Sequence, residues 1–337
     1  MGSFLVRRLL WAIPVLIVIS IITFAMMKAA PGGPWDRDEE RGKQLDKRTQ
    51  QLLNQQFGLD KPVWRQYTSY MFGDWRESPE GESKFVCGAI CGNLGPSFKQ
   101  RGKTIQDIFF KPPTEEGNFF DSKFGRSLQL ALYALIFAII VGIPAGIIAA
   151  LNQNKPIDYA VTFISNIGIA VPSLVMGLLF IIIIAVGLKL VPVVAKDWDN
   201  WAMWVLPVVS LGLATLARVA RYMRSSVLDV MRTDYIRTAR AKGLRENLVV
   251  WRHMLRNALV PVITILGPTL AGLITGAFTV EFIFSFSGIG QDFVRSIGNR
   301  DYSMIMGTSL LFAVLIVFAN LTVDILYGVV DPRIRLE

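Results

Sequence analysis

Histidine occurs once in this 337-residue chain and cysteine twice. Those are the side chains that most often titrate, ligate metals or attack substrates near neutral pH, so their scarcity narrows the functions open to it. The apolar stretches contain no paired carboxylates, no His and Glu cluster and no Ser beside a base. That pattern argues against an intramembrane protease and against a proton-coupled carrier. A nucleotide site is also missing. Gly102-Lys103-Thr104 looks like the end of a phosphate-binding loop, but Ser97 stands where that motif needs its first glycine, and the preceding residues read as loop instead of strand. Any ATP used with this protein is therefore expected to bind a partner. Charged residues are sparse as well, at 18%. With 52% hydrophobic residues and a mean hydropathy of +0.43, a single water-soluble core is excluded.

Long apolar runs are what the chain has instead. They cover Leu9 to Met27, Leu128 to Leu151, Ala160 to Leu188, Trp201 to Ala217, Ala258 to Phe284 and Met304 to Val330. A bilayer core takes about 20 helical residues to cross, so the sequence predicts an all-α membrane protein with six transmembrane helices. The third and fifth runs exceed that need and are expected to tilt or to extend into the interface. The short loops on one side, with both chain ends, carry fifteen Lys or Arg: Arg7, Arg8, Lys155, ten between Arg218 and Arg256, Arg333 and Arg335. The other short loops carry four: Lys189, Lys196, Arg295 and Arg300. Both termini are therefore expected in the cytoplasm. The net charge of +9 is accounted for by this asymmetry, so no nucleic-acid partner is expected. Arg7 and Arg8, an apolar run and Lys28-Ala29-Ala30 also look like a secretory signal. The run from Leu9 is longer than the usual signal core of about 7 to 15 residues, which favours an uncleaved first helix.

Three regions follow: residues 1–30 with the first span, a large extracytoplasmic loop region at 31–127, and a core membrane region at 128–337 that includes a cytoplasmic loop at 218–257. The loop region opens on the turn Pro31-Gly32-Gly33-Pro34 and is expected to form loops and short helices. An amphipathic helix is expected over Gln44 to Phe57, with Gly58 as its stop. Cys87 and Cys91 lie here. Their spacing and location allow a disulfide, two free thiols, or half of a metal site. No metal site is expected, because two further ligands would be needed and His253 is on the other side of the membrane.

Within the spans, Asp324 reads as a helix anchor near the cytoplasmic end. Gly142-xxx-Gly146 and Gly272-xxx-Gly276 permit close helix contacts. Pro144, Pro172, Pro207 and Pro268 are expected to kink or break helices. Between two spans lies the basic segment Asp234 to Pro261. It reads as a helix to Lys242, a break at Gly243, and a helix resuming from Glu246. On physical grounds alone it suits either docking into a groove of a soluble protein or contact with anionic lipid headgroups.

The motifs in this segment carry a family resemblance. Ala239-Arg240-Ala241-Lys242-Gly243-Leu244, followed by His253-Met254-Leu255-Arg256-Asn257-Ala258 and Pro261, resembles the cytoplasmic loop of permease subunits from ABC importers for di- and oligopeptides. The general importer signature has Glu-Ala-Ala where this chain has Arg237-Thr238-Ala239, a departure shared by the peptide and nickel branch. Phe57-Gly58-Leu59-Asp60-Lys61-Pro62, Gly92-Asn93-Leu94-Gly95-Pro96-Ser97, Glu281 to Gly290, Arg300-Asp301-Tyr302 and Asp324 to Arg333 resemble other parts of that branch. Ser287 stands where the family usually has Pro, and two segments, Asp74 to Cys91 and Lys99 to Phe120, look like insertions.

The resemblance implies the type I ABC importer permease fold and a B-type subunit that moves di- or oligopeptides inward. Its expected partners are a second homologous permease subunit, two ATPase subunits that bind the ATP and Mg, an extracytoplasmic substrate-binding protein and membrane lipid. The expected location is a bacterial or archaeal cell (inner) membrane. No catalytic residue and no cofactor on this chain are implied. ATPase coupling would fall to Asp234, Tyr235, Arg237, Thr238, Ala239, Arg240, Ala241, Lys242, Gly243, Leu244 and Glu246. Candidates for the translocation pathway are Thr23, Thr275, Phe278, Thr279, Phe282 and Ser285. Nickel, an oligosaccharide or a peptide antibiotic are alternative cargoes, and a channel or secondary carrier is the alternative class.

Overall fold

The computed structural model describes residues 2–35, 46–77, 83–100, 102–192 and 200–330; for 2–5, 323, 324 and 326–330 the backbone alone is described. Gln44 and Leu45 of the expected amphipathic helix, Lys196 and Asp331 to Arg335 lie outside the described residues, as does the side chain of Asp324.

In chain order the elements are helix α1 (Gly2–Ala29), α2 (Lys47–Gln56), α3 (Val63–Phe72), strands β1 (Gly73–Glu77) and β2 (Ser83–Cys87), α4 (Ile105–Phe110), α5 (Lys123–Leu151), α6 (Pro156–Ala170), α7 (Ser173–Phe180), α8 (Ala202–Met231), α9 (Asp234–Ala241), α10 (Glu246–Leu248), α11 (Leu255–Ile283), α12 (Ile289–Asn299) and α13 (Tyr302–Val330). Widened π turns extend α7 through Ile181–Gly187 and join α10 to α11 through Val249–Met254. Among the described residues, five helical stretches are long and apolar enough to cross a membrane, and there are six if the bent pair α6–α7 counts as one. Helices are what an apolar medium requires, because they satisfy their own backbone polar groups.

The chain divides into two compact units. The first comprises residues 1–5, 127–286 and 315–337. Its centre is α8, packed by α6, α7 and α11. Helix α5 approaches α8 through Gly142 and Gly146. A Cβ on Gly142 would stand 2.9 Å from the Leu216 carbonyl oxygen, and one on Gly146 would stand 2.7 Å from Met223 Cβ, so this glycine pair is used for contact inside the chain. The third apolar run is not one tilted rod. It turns by 108° between α6 and α7, because Pro172 cannot donate to the helix and drives Val171 into extended backbone (φ −90°, ψ 123°). Pro144, Pro207 and Pro268 remain inside continuous helices. Helix α8 runs fourteen residues past the expected end of its span, so Arg218, Arg221 and Arg224 sit on a helix and not in a loop. Burial of Val219, Ala220, Met223 and Val227 along one face holds that extension helical.

The second unit comprises residues 6–126 and 287–314. Asp301, 3% exposed, ties its sequence-distant parts together. Its carboxylate accepts from the Ser97 hydroxyl and from the backbone N–H groups of Phe98 (3.1 Å), Lys99 (3.3 Å) and Met304 (3.2 Å). Lys123 pairs with Asp292 on α12. An apolar cluster of Ile105, Ile108, Phe109, Ile289 and Met304 lies beneath. The loop region also contains an element absent from the sequence reading, an antiparallel hairpin of β1 and β2 with Gly73 opposite Cys87 and Glu77 opposite Ser83. The sulfurs of Cys87 and Cys91 are bonded to each other.

Asp74 anchors the hairpin to α3, accepting from Lys61 Nζ at 2.7 Å, Ser69 Oγ at 2.8 Å and the Trp75 N–H at 3.0 Å. The bond from Lys61 is the chief reason that its pKa is lowered to about 2. Burial opposes this, while Ser69, the charge on Lys61 and the Trp75 N–H reinforce it. An unfolded Asp titrates near pH ~3.9, so the ionised form stabilises the folded state fully above that value and loses its effect as pH falls through about 2. Hydrogen-exchange protection of residues 63–77, referenced to the D74N variant, is expected to shrink over this window. A difference between the two proteins that stays constant through it would contradict the assignment.

Candidate functional site

The basic segment folds as a hairpin rooted in the first unit. Thr233, in extended backbone (φ −75°, ψ 151°), starts α9 without a side-chain cap. Ile236 (0% exposed) and Ala239 (6%) fall three residues apart on one face of α9. They join a cluster with Val219, Met223 and Val227 of α8, Val249, Val250 and Met254 of the π turn, and Leu255, Ala258 and Val262 of α11. Gly243 reverses the chain in left-handed backbone (φ +76°), where a non-glycine residue would be strained. Across that turn Arg240 grips Glu246 with two hydrogen bonds, of 2.6 and 3.2 Å. The bond to Glu246 raises the pKa of Arg240 further, and burial opposes the rise only in part.

The outward face is exposed and mostly cationic. Asp234, Tyr235, Arg237, Thr238, Arg240, Ala241, Lys242 and Glu246 all reach solvent, whereas Ala239 packs inward and Leu244 is half-buried against the cluster. Ala239 therefore serves as a packing residue of the hairpin, unlike its neighbours. The Tyr235 hydroxyl accepts from Asn257 Nδ2 at 2.8 Å, which fixes α9 to the start of α11. Trp251 of the π turn lies beside these charges in sequence and is 72% exposed.

The pathway candidates are less uniform. Thr275 donates to the Ala271 carbonyl (2.9 Å) and Thr279 to that of Gly276 (3.5 Å), so both hydroxyls are engaged by their own helix. Phe278 is half-buried, Phe282 is 48% exposed, and Ser285 is exposed in left-handed backbone (φ +50°) just past α11. Thr23 is half-buried on α1, in the other unit. Gly272 and Gly276 differ from the pair on α5: nothing lies within 4 Å of a Cβ built on either.

Sequence reasoning missed two charged positions. Asp158, in the first turn of α6, is held by Arg224 of α8 through Nε–Oδ1 and Nη2–Oδ2 contacts of 2.5 and 2.7 Å, and it also accepts from the Asn154 N–H at 3.0 Å. An acid two positions after Pro156, in the first turn of a helix, was the available signal. Glu281, inside the fifth apolar run, is 1% exposed. Among the described residues no group of His, Cys, Asp and Glu is arranged to hold a metal ion.

Among the described residues, helices long and apolar enough to cross a membrane are joined by an exposed, mostly cationic hairpin, and the comparisons with known proteins give this arrangement its class. The chain belongs to the family described as binding-protein-dependent transport system inner membrane component, which matches residues 142–336; residues 1–115 match the corresponding N-terminal family. It is 37% identical over 338 residues to the dipeptide transport system permease protein DppB of Bacillus subtilis, covering 100% of this chain and 99% of that protein. It is 36% identical over 337 residues to the oligopeptide transport system permease protein OppB of Haemophilus influenzae, covering 99% and 100%. Its fold resembles a chain of the MetNI methionine ABC transporter, with a TM-score of 0.51 at 19% identity over 62% of this chain and 94% of that one.

Proposed function

We propose that this chain is the B-type permease subunit of an ABC importer for di- and oligopeptides, and that the Asp234–Glu246 hairpin couples it to an ATPase. The observation that carries this reading is the two-faced hairpin: Ile236 and Ala239 sit in one cluster with α8 and α11, while Tyr235, Arg237 and Lys242 face outward. Packed cores move as rigid bodies, so a displacement of the hairpin passes to two membrane-crossing helices. Transmission is mechanical, driven by contacts that differ between the ATP and ADP states of the partner. ATP and Mg are bound by two ATPase subunits, and an extracytoplasmic binding protein delivers the peptide. The open Gly272 and Gly276 face of α11 supports a second, homologous permease subunit as the other wall of the pathway. Both termini lie in the cytoplasm, on the side where the basic residues are concentrated, and the membrane is the cell (inner) membrane of a bacterium or archaeon.

The peptide cargo is supported by the names of the relatives over the full length of the chain. Purification of the native complex, followed by mass spectrometry of whatever the copurified binding protein holds, tests both parts. Two ATPase chains and bound short peptides are expected. A complex without ATPase would sink the coupling role, and a binding protein loaded with a non-peptide solute would sink the cargo.

A further inference from the structure

The second unit contains a cavity of about 1280 Å³, larger than the roughly 300–1,000 Å³ typical of small-ligand sites. The end of α1, the start of α13, α2, α3 and the Gly95–Phe98 turn line it. Lys28 lines it from α1, with its Nζ 5.0 Å from the centre of the Tyr302 ring and 5.8 Å from that of Phe24. Among the described residues no carboxylate pairs with Lys28, and the one acid in the lining, Asp74, is already held by Lys61 and Ser69.

Two further lining residues carry buried polar atoms that have no partner among the described residues, the Tyr70 hydroxyl and Gln66 Oε1. Burial raises the Tyr70 pKa, so the hydroxyl keeps its proton and remains a donor. The amide nitrogen of Gln66 is spent on the Leu59 and Lys61 carbonyls, which leaves Oε1 as a pure acceptor. The apolar wall is aromatic: Trp35 stacks on Phe98 at 5.6 Å, and Phe57 lies 4.4 Å from Phe98 between ring centres.

A cation, a hydroxyl donor, a lone acceptor and flat apolar walls together suit a carboxylate next to an amide N–H and a side chain. We propose that this cavity is a peptide site on the permease itself, in which Lys28 receives the C-terminal carboxylate, Gln66 Oε1 accepts a peptide N–H and the aromatic wall takes a side chain. This rests on the peptide reading above and extends it by giving the permease an affinity of its own for a free C-terminus.

The test uses the assembled transporter without its binding protein, in phosphatidylcholine nanodiscs, and measures equilibrium binding of radiolabelled trialanine and of its C-terminal amide. Saturable trialanine binding is expected, with the amide weaker by about tenfold or more, as for loss of a hydrogen bond to a charged group. Lys28→Gln should bring trialanine down to the level of the amide and leave amide binding unchanged, a selectivity that a general packing defect would not produce. Equal binding of acid and amide by the unaltered complex would overturn the proposal without recourse to any variant. So would equal weakening of both ligands by Lys28→Gln, or displacement of trialanine when phosphatidylglycerol is added, which would make the occupant a lipid headgroup. ATP-driven trialanine uptake by the complete complex separates the two levels. Intact uptake without binding here removes only this site, whereas absent uptake strikes the peptide reading itself.

Discussion

Replacing Asp158 by alanine is expected to destabilise the first unit by about 3 kcal/mol, the lower end of the roughly 3–5 kcal/mol seen when one partner of a buried ion pair is removed. The Asp158 side chain is 3% exposed and is satisfied on both oxygens. Its loss leaves the Arg224 guanidinium without its counter-charge and the Asn154 N–H without its acceptor. Arg224 is 29% exposed, so water recovers part of the lost solvation and keeps the cost from the top of the range. Two sources of stabilisation disappear together, because the carboxylate also sits in the first turn of α6, where the helix dipole favours a negative charge. Removing both partners, as in Asp158→Ala with Arg224→Met, is expected to recover much of the loss, since no buried charge is then stranded. Thermal unfolding of the purified complex in one detergent, compared across the three proteins, checks this. If the double variant were less stable than Asp158→Ala alone, the stranded-charge explanation would be wrong.

The second large effect concerns transport and should leave stability untouched. Reversing the charge at Arg237 and Lys242 together is expected to reduce ATP-driven peptide uptake in proteoliposomes by at least about tenfold, because like charges set against each other at a docking surface cost several kcal/mol. Both side chains face solvent; the Arg237 side chain is 72% exposed and its contact with Asp234, at 3.6 Å, is a surface pair worth little to folding. The unfolding temperature should therefore be unchanged. Unaltered uptake in correctly assembled complexes would count against the hairpin as the coupling element. The contrast lies two residues along, at Ala239, which is 6% exposed in the cluster beneath the hairpin. A charged residue there would disrupt packing and lower stability and uptake together, so the two positions separate docking from folding.

Much of this was legible in the residues because it depends on short stretches of chain. Apolar length sets which segments can cross a bilayer, and five helical stretches with one bent pair fall on the predicted runs. The break at Gly243 and the helices on either side follow from local backbone preference, and they occur where the residues placed them. The two small-residue pairs read alike in sequence, yet Gly142 and Gly146 meet α8 while Gly272 and Gly276 meet nothing in this chain. Spacing specifies that a face is small, and only packing determines what fills it.

The sequence alone thus determined the membrane-spanning character of the chain and the position of the basic hairpin, since hydropathy, charge and glycine conformation act over a few residues at a time. Tertiary structure alone decided which of those charges are structural. It joined Asp158 to Arg224 across 66 positions and Ser97 to Asp301 across 204, turned Ala239 inward, and bent the third apolar run by 108° at Pro172. A buried charge is stable only where the fold brings its partner to hydrogen-bonding distance, and that distance is a property of the packed helices that no local pattern encodes.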